Sequence, residues 1–223
     1  MDKKKEIELF DVMKQKLYTG VICDAMDELG YRDQAMRHNI RPLRQDGTEV
    51  IVGRAKTILA VDVYHQHGDP YKKEIEAIDS IQPGDVVVAC TNNSVRNGLW
   101  GELLSTASKM RGANGAIIDG LVRDSRKVIE LGFPVYCTGL KPVDSRGRGR
   151  VIDYDCPIHA GDILVEPGDI IFADWDGVAV IPSSIFESAV THALEKAERE
   201  RHTKTELFEG RYLREVFDKY GVL

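Results

Sequence analysis

Residues 100–124, WGELLSTASKMRGANGAIIDGLVRD, contain the pattern that best indicates the fold, a helix followed by a turn and a strand. Apolar residues recur at helical spacing after Gly101, and this spacing predicts a helix. They are Leu103, Leu104, Ala107 and Met110. The glycine-rich segment 111–115 then ends the helix, and residues 116–118 predict a short buried strand that ends at Asp119-Gly120.

The same stretch carries the groups of a candidate anion and metal site. The free N–H groups at the start of the helix, with the positive end of its dipole, can seat a carboxylate or a phosphate. Arg123 and Asp124 follow the predicted strand, and together they can place a planar anion clamp beside a ligand for a hard cation. These parts suit a small acid chelated to a divalent metal. The alternative is an ordinary helix and strand with a surface Arg–Asp pair, since this dipeptide is common.

Outward from this stretch, strands alternate with helices, which predicts an α/β core. Strands are expected within 50–63, 85–90, 135–137, 150–154, 162–165, 169–174 and 177–181, and helices within 71–81 and 125–131. Asp174–Gly177 is expected to form a hairpin turn, while a role at the substrate edge or at an interface stays open.

Helices are predicted at both ends of the core. Residues 6–29 predict two amphipathic helices, with Thr19 as the N-cap of the second, and residues 187–223 predict long charged helix with a break near Gly210. One domain over residues 1–223 is expected, with a helical arm at 1–40, a core at 45–185 and C-terminal helices at 186–223. Arms that bury little within one subunit predict packing on neighbouring copies.

Composition excludes several classes of function. The net charge of −6 argues against a general nucleic-acid binder, so the basic loop 146–150 is interpreted as solvent-facing. No apolar run approaches the roughly 20 residues that span a membrane, and no secretory signal is expected at the N-terminus. Four widely spaced cysteines without a C-x-x-C pair indicate free thiols and a reducing cytoplasm.

Two stretches, GELLSTASKMRGANGAIIDGLVRD at 101–124 and ADWDGVAVIP at 173–182, closely resemble one known family. It comprises the class II 4-hydroxy-4-methyl-2-oxoglutarate/4-carboxy-4-hydroxy-2-oxoadipate aldolases and the RraA-like regulators of ribonuclease E activity. The resemblance covers roughly residues 19–190 and is looser in the C-terminal helices. It implies a swivelling β/β/α domain that assembles into trimers or hexamers.

The core motif of that family is an acidic residue at a fixed distance before Arg-Asp, matched here by Glu102 and by Arg123-Asp124. The familiar aldolase form has Asp at the first position, so Glu102 is a conservative departure. The ribonuclease-regulator branch carries Gly there and an acid three residues after the motif Asp. This chain has Glu102 and Lys127 at those positions, and both favour the aldolase branch.

The resemblance implies a lyase that cleaves 4-hydroxy-2-oxo diacids to pyruvate by retro-aldol chemistry and also decarboxylates oxaloacetate. Asp124 would bind Mg²⁺ or Mn²⁺, and Arg123 would hold the ketone oxygen or carboxylate of a small 2-oxo acid. The amides of Glu102, Leu103 and Leu104, just after Gly101, would seat the carboxylate. Glu102 would also orient a water molecule that acts as general base.

The family also sends an acid from the C-terminal helix of a neighbouring subunit towards the metal. The distance from Gly210 points to Glu200, with Glu198 as the weaker choice. Taken alone, residues 196–200 are a charged run typical of a solvated helix face.

Three alternatives stay open at this point. Lys109 and Lys141 are Schiff-base candidates, but an active amine needs burial or a cationic neighbour, and Lys109 is expected to be exposed. His65 and His67 have strand-like spacing that suits a transition-metal pair or merely a polar loop. The rival from another class of function is a non-catalytic protein that binds and inhibits a ribonuclease through its oligomeric surface.

Overall fold

The structure is a computed structural model that describes residues 3–66 and 68–222. His67, and with it the possible histidine pair, lies outside the described residues. The helices are α1 (Lys3–Lys16), α2 (Thr19–Glu28), α3 (Lys72–Asp79), α4 (Glu102–Met110), α5 (Ser125–Leu131), α6 (Phe186–Phe208) and α7 (Leu213–Tyr220). The strands are β1 (Arg41–Pro42), β2 (Ile51–Asp62), β3 (Asp85–Cys90), β4 (Gly98–Trp100), β5 (Gly115–Val122), β6 (Val135–Leu140), β7 (Gly149–Tyr154), β8 (Ile158–Ala160), β9 (Ile163–Val165), β10 (Ile170–Asp174) and β11 (Gly177–Ile181).

The described strands form a large mixed sheet and a small hairpin. The large sheet runs in the order β1-β6-β5-β3-β2-β10-β11, with β4 beside β5 and β7 beside β2, while β8 pairs only with β9. Strands β2, β3, β5 and β6 are parallel neighbours, and β1, β7, β10 and β11 pair in the antiparallel sense. Helices α3, α4 and α5 lie in the connections between the parallel strands. The α/β class predicted from the sequence is therefore confirmed.

The parallel strands are continuously apolar because both of their faces are covered. The residues of β3 from Val86 to Cys90 are all buried, and so are those of β5 from Gly115 to Gly120. One buried cluster lies against helices α3 and α5, and another lies on the side of the β8–β9 hairpin. This arrangement is the usual one for parallel strands, whose crossover helices shield the sheet from water.

The N-terminal arm packs within the chain, contrary to the expectation that the arms bury little. Side chains of α1 and α2 form a third buried cluster with β10, β11 and the first half of α6. Phe10 contacts Phe186 with ring centroids 6.0 Å apart, and Met13 and Met26 are fully buried. The apolar faces of both helices meet the sheet and α6, so they are buried within one chain. The C-terminal end of α6 is not covered in the same way, since Phe208 is 82% exposed.

Thr19 is the first residue of α2 and not its N-cap, which corrects the sequence interpretation. The cap position belongs to Tyr18, which makes no side-chain capping bond. The backbone N–H of Thr19 donates to Asp174 at 2.7 Å, and its hydroxyl donates to the other oxygen of Asp174 at 2.6 Å. A carboxylate from a distant hairpin therefore satisfies the start of this helix, which local sequence patterns cannot reveal. The hairpin turn predicted at Asp174–Gly177 is confirmed.

Strand β5 continues to Val122 and does not end at Asp119-Gly120 as predicted. Asp119 is buried within the strand, where Arg37 pairs with its carboxylate and the backbone N–H of Gly161 donates to it at 2.8 Å. Because its charge and lone pairs are satisfied, this aspartate can remain inside the sheet. The longer strand carries Arg123 and Asp124 directly to the edge where the candidate site lies.

The C-terminal helices follow the predicted pattern, with α6 and α7 separated near Gly210. Within residues 3–66 and 68–222, no helix combines the length and the hydropathy of a transmembrane span.

Candidate active site

A pocket of about 390 Å³ lies where α3, the start of α4, the end of β5 and the segment after β6 meet. It is lined by Tyr71, Glu74, Ile75, Leu99, Gly101, Leu103, Leu104, Arg123, Asp124 and Asp144. Five of the residues predicted from the sequence are thus brought together, namely Gly101, Leu103, Leu104, Arg123 and Asp124. Glu102 is the first residue of α4 and is half-buried, but it is not part of the lining.

The start of α4 supplies backbone donors beside this pocket. Gly101 occupies the N-cap position and makes no side-chain capping bond. The first N–H groups of a helix have no partner within the helix, so the amides that follow Gly101 can bind an anion.

The burial of α4 differs from the sequence expectation. Leu103 and Met110 were expected on the apolar face of the helix, but each is 81% exposed. The buried residues of α4 are Ser105 and Ser108, and the hydroxyl of Ser105 accepts a bond from Nε1 of Trp100 at 2.8 Å. Small residues allow the helix to lie close to the core, and Leu103 is left at the mouth of the pocket.

Arg123 and Asp124 lie at the junction of β5 and α5. The N–H of Arg123 donates to the carbonyl of Trp100 at 2.8 Å, which fixes the backbone beside β4. Asp124 has a φ of 55°, the left-handed conformation that residues other than Gly, Asn and Asp rarely adopt. Nε of Arg123 lies 3.3 Å from Oδ2 of Asp124, so the cation and the carboxylate share one corner of the pocket.

Asp144 is the main site residue that the sequence analysis missed. Nη1 of Arg123 donates to Oδ1 of Asp144 at 3.0 Å, and the hydroxyl of Tyr71 donates to Oδ2. The N–H of Arg146 also donates to Oδ2, at 3.1 Å. The basic loop 146–150 gave no signal for Asp144, because Arg146 and Arg148 are exposed, as expected, and it is the backbone N–H of Arg146 that contacts the carboxylate.

These contacts shift the pKa values of the two groups in opposite directions. Burial by itself would raise the pKa of Asp144, but bonds from Tyr71 and the loop backbone, with the charge of Arg123, outweigh it and lower that pKa. Burial, and then the hydrogen bond to Asp144, raise the pKa of Tyr71 to about 12. Asp144 is therefore a carboxylate and Tyr71 a neutral donor across the neutral range.

Glu74 lies on α3 at the wall of the pocket and is only 7% exposed. Burial, and secondarily the charge of Asp144, raise the pKa of Glu74 to about 7. A buried carboxyl group with a pKa near neutrality is typical of a functional site. Sequence spacing alone did not distinguish Glu74 from the other acidic residues of α3.

The donor set fits a lightly held Mg²⁺ better than a closed metal cage. Within the part of the chain that the structure describes, no group of three or more His, Cys, Asp and Glu residues could hold a metal ion. Mg²⁺ keeps several waters and commonly takes only one or two carboxylates. The exposed side chain of Asp124 can supply one such ligand.

Glu200 does not join this pocket within one chain. It lies on α6 in a separate groove against α1, whose lining includes Lys16 and Tyr18. Burial raises its pKa. Lys109 is exposed, as expected, and its Nζ donates to the carbonyl of Leu131 at 2.6 Å.

Gly101 permits the close approach of α4 to the Arg123-Asp124 corner. A Cβ at this position would lie 2.8 Å from Oδ2 of Asp124 and 2.9 Å from Cγ of Arg123. We therefore expect Gly101→Ala to displace both side chains and to lower kcat/KM by about tenfold, because small errors in placement are costly at a reacting centre. The measurement is kcat/KM for the pyruvate release that the family resemblance implies, with Gly20→Ala as the control, since Gly20 faces only the ring of Tyr18. Wild-type kinetics in Gly101→Ala would contradict this account of the corner.

Comparison with known proteins assigns the family. The sequence profile of the Aldolase/RraA family matches residues 19–180, which include the whole Gly101–Asp124 unit. The chain belongs to the Aldolase/RraA family. The resemblance stated from the sequence is thereby confirmed.

Individual proteins resemble the chain at moderate identity. Protein DlpA of Legionella pneumophila is 29% identical over 199 residues, which are 89% of this chain but 32% of DlpA, so the chain spans about a third of that relative. A Halalkalibacterium halodurans protein named "Putative 4-hydroxy-4-methyl-2-oxoglutarate aldolase" is 30% identical over 80% of this chain and 79% of its own length. The crystal structure of RraAS2 from Streptomyces coelicolor, described as an unusual member of the RNase ES inhibitor RraA protein family, aligns with a TM-score of 0.75 and 28% identity. That alignment covers 92% of this chain and 96% of RraAS2.

Proposed function

We propose that the protein is a divalent-metal-dependent lyase that cleaves 4-hydroxy-2-oxo diacids, of the 4-hydroxy-4-methyl-2-oxoglutarate type, to pyruvate and a second oxo acid. The observation that carries the proposal is the convergence of Arg123, Asp124 and the free amides of α4 on one pocket. Several relatives carry the name "Putative 4-hydroxy-4-methyl-2-oxoglutarate aldolase", which points to the same chemistry.

Each part of the pocket has a task in this reaction. The amides of Glu102, Leu103 and Leu104 would seat the carboxylate of the 2-oxo acid, and Arg123 would bind its ketone oxygen. Mg²⁺ or Mn²⁺ held by Asp124 would supply the Lewis acid that draws electrons towards the 2-oxo group when the bond between C3 and C4 breaks. Glu102 would orient a water molecule that removes the proton of the 4-hydroxyl group and returns a proton to C3 of the pyruvate enolate.

Oxaloacetate decarboxylation should accompany the aldol cleavage. Loss of CO₂ from oxaloacetate leaves the same pyruvate enolate, so the groups that stabilise one transition state also stabilise the other. A single pocket therefore predicts two activities that share pyruvate as a product.

The proposal includes a homo-oligomer, a trimer or a hexamer, in which Glu200 serves a neighbouring copy. Within one chain Glu200 lies in the groove against α1, so only another copy could bring it to Arg123. The proposal includes no nucleic-acid partner and no membrane partner. The mass of the protein in solution, measured by light scattering, tests the assembly.

The test of the function is pyruvate release from 4-hydroxy-4-methyl-2-oxoglutarate and from oxaloacetate, with added Mg²⁺ and then with excess EDTA. We expect turnover of both acids with Mg²⁺, the loss of most of it in EDTA and recovery when Mg²⁺ or Mn²⁺ is restored. Turnover that EDTA leaves unchanged would exclude the metal. A folded protein that turns over neither acid would favour the ribonuclease-binding function, which the likeness to RraAS2 brings into view.

A further inference from the structure

We propose that Asp144 and Tyr71 are positioning residues that fix the guanidinium group of Arg123 in the pocket and give it an anionic partner other than Asp124. The inference rests on the proposed function, in which Arg123 binds the 2-oxo acid and Asp124 the metal. Neither Asp144 nor Tyr71 belongs to the Glu102 and Arg123-Asp124 motif.

The contacts of Arg123 define its plane and leave one donor group free. Its Nη1 bonds Asp144 at 3.0 Å, and its Nε lies 3.3 Å from Asp124. Within the described residues, Nη2 makes no hydrogen bond. The side chain is about one-third exposed in the pocket, so the N–H groups on Nη2 are the donors that remain for a ligand. Because a guanidinium group is planar, fixing its Nη1 and Nε also determines where the N–H groups of Nη2 point.

Asp144 can act as a fixed anchor because its own position is strongly constrained. Tyr71 at the start of α3 and the N–H of Arg146 both donate to its Oδ2. Its carbonyl accepts a bond from Nη1 of Arg148 at 3.2 Å. The carboxylate is thus held from α3 on one side and from the 144–148 loop on the other.

The position of Asp144 also matters for the metal ligand. Arg123 has two carboxylates within reach, and a cation at Asp124 would compete with the guanidinium for the same oxygens. The closer bond to Asp144 lets Arg123 keep an anionic partner while Asp124 binds a metal. Without the charge of Asp144, we expect Arg123 to pair more closely with Asp124, which would weaken both the 2-oxo acid and the Mg²⁺ interactions.

The experiment compares Asp144→Asn and Tyr71→Phe with the wild type and with Asp79→Asn. Asp79 pairs with Arg111 on the surface, so it is the matched aspartate–arginine control away from the site. Two quantities are measured for each protein: steady-state kinetics with oxaloacetate over a range of Mg²⁺ concentrations, and the rate at which phenylglyoxal modifies Arg123, followed by peptide mapping. The second measurement needs no catalysis.

We expect Asp144→Asn to lower kcat/KM by about tenfold to a hundredfold, with a raised KM and a raised Mg²⁺ requirement. Tyr71→Phe should lose less, about threefold to tenfold, because the carboxylate remains. The rate of Arg123 modification should change at least about twofold in Asp144→Asn, because the guanidinium loses one of its two fixed edges. Asp79→Asn should match the wild type in both measurements.

An unchanged rate of Arg123 modification in Asp144→Asn would overturn the positioning role, whatever the kinetics show. Wild-type kinetics in both variants of an active enzyme would also overturn it and leave the proposed function intact. If the wild type turns over no 2-oxo acid, the proposed function fails by itself, and the modification rate alone then decides whether Asp144 positions Arg123. Tyr71→Phe keeps the test available if Asp144→Asn does not fold.

Discussion

Asp124→Asn is expected to lower kcat/KM for pyruvate release by about a hundredfold or more, which corresponds to roughly 2.7 kcal/mol of transition-state stabilisation. The substitution replaces the carboxylate that we propose as the metal ligand by a neutral amide of the same shape. Asparagine is the appropriate replacement because Asp124 has a φ of 55°, a conformation that Asn tolerates and Ala does not. A loss of activity in Asp124→Asn therefore reports the charge and not the backbone.

Arg123→Ala should lose activity to a similar extent, about a hundredfold or more in kcat/KM. Arg123→Lys should restore little of this activity. A planar guanidinium can bond Asp144 and a substrate with different N–H groups, whereas a compact ammonium group cannot reach both in the same geometry. The comparison uses kcat/KM with both substrates at saturating Mg²⁺, together with circular dichroism to verify folding.

Lys109→Ala is the control for lysine chemistry and should stay active, since Lys109 is exposed and donates to the carbonyl of Leu131. Retained activity in Asp124→Asn and Arg123→Ala would refute the site. An inactive Lys109→Ala would refute the metal-dependent mechanism instead.

The predicted parts of the fold and site are those determined by short-range patterns. Helix α4, strand β5 and the Arg123-Asp124 corner follow one another within 25 residues, so spacing along the chain was enough to place them together. The hairpin at Asp174–Gly177 and the break between α6 and α7 near Gly210 are likewise local, and both are confirmed.

The parts that the sequence did not reveal depend on contacts between distant segments. Asp174 caps α2 across 155 residues, and Arg37 stabilises Asp119 inside β5 across 82 residues. Asp144 and Tyr71 are 73 residues apart and meet only because α3 and the segment after β6 flank the same edge of the sheet. Residue type and spacing carry no trace of such pairs, so the inner wall of the pocket could not be predicted.

The largest expected effect on stability lies at Glu74. Its side chain is buried, and its pKa of about 7 compares with an ordinary value of 4.5. Below pH 4.5 the carboxyl group is neutral in both the folded and the unfolded protein, so it makes no difference to stability. Between these two pKa values only the unfolded state ionises freely. The free energy of unfolding therefore falls as the pH rises, and above pH 7 the full cost of about 3 kcal/mol is present.

Glu74→Gln removes this ionisation and keeps the shape of the side chain. We expect the variant to match the wild type within about 0.5 kcal/mol at pH 4.5, and to be more stable by about 1–3 kcal/mol at pH 8.5. Urea unfolding at the two pH values measures the difference, with Glu76→Gln, at a more exposed position of α3, as the matched control. The difference in free energy of unfolding from the wild type should depend on pH for Glu74→Gln and should be the same at both pH values for Glu76→Gln.

An equal effect of Glu74→Gln at both pH values would mean that Glu74 does not titrate in this range. The expected result has a consequence for the site, because Glu74, Asp124 and Asp144 line the same pocket as one arginine. Three ionised carboxylates would repel an anionic 2-oxo acid, whereas a protonated Glu74 lowers that repulsion without removing the polar group. In the proposed lyase, the buried placement of Glu74 would thus cost stability at high pH and favour the binding of an acid near neutrality, as is expected where function and stability compete.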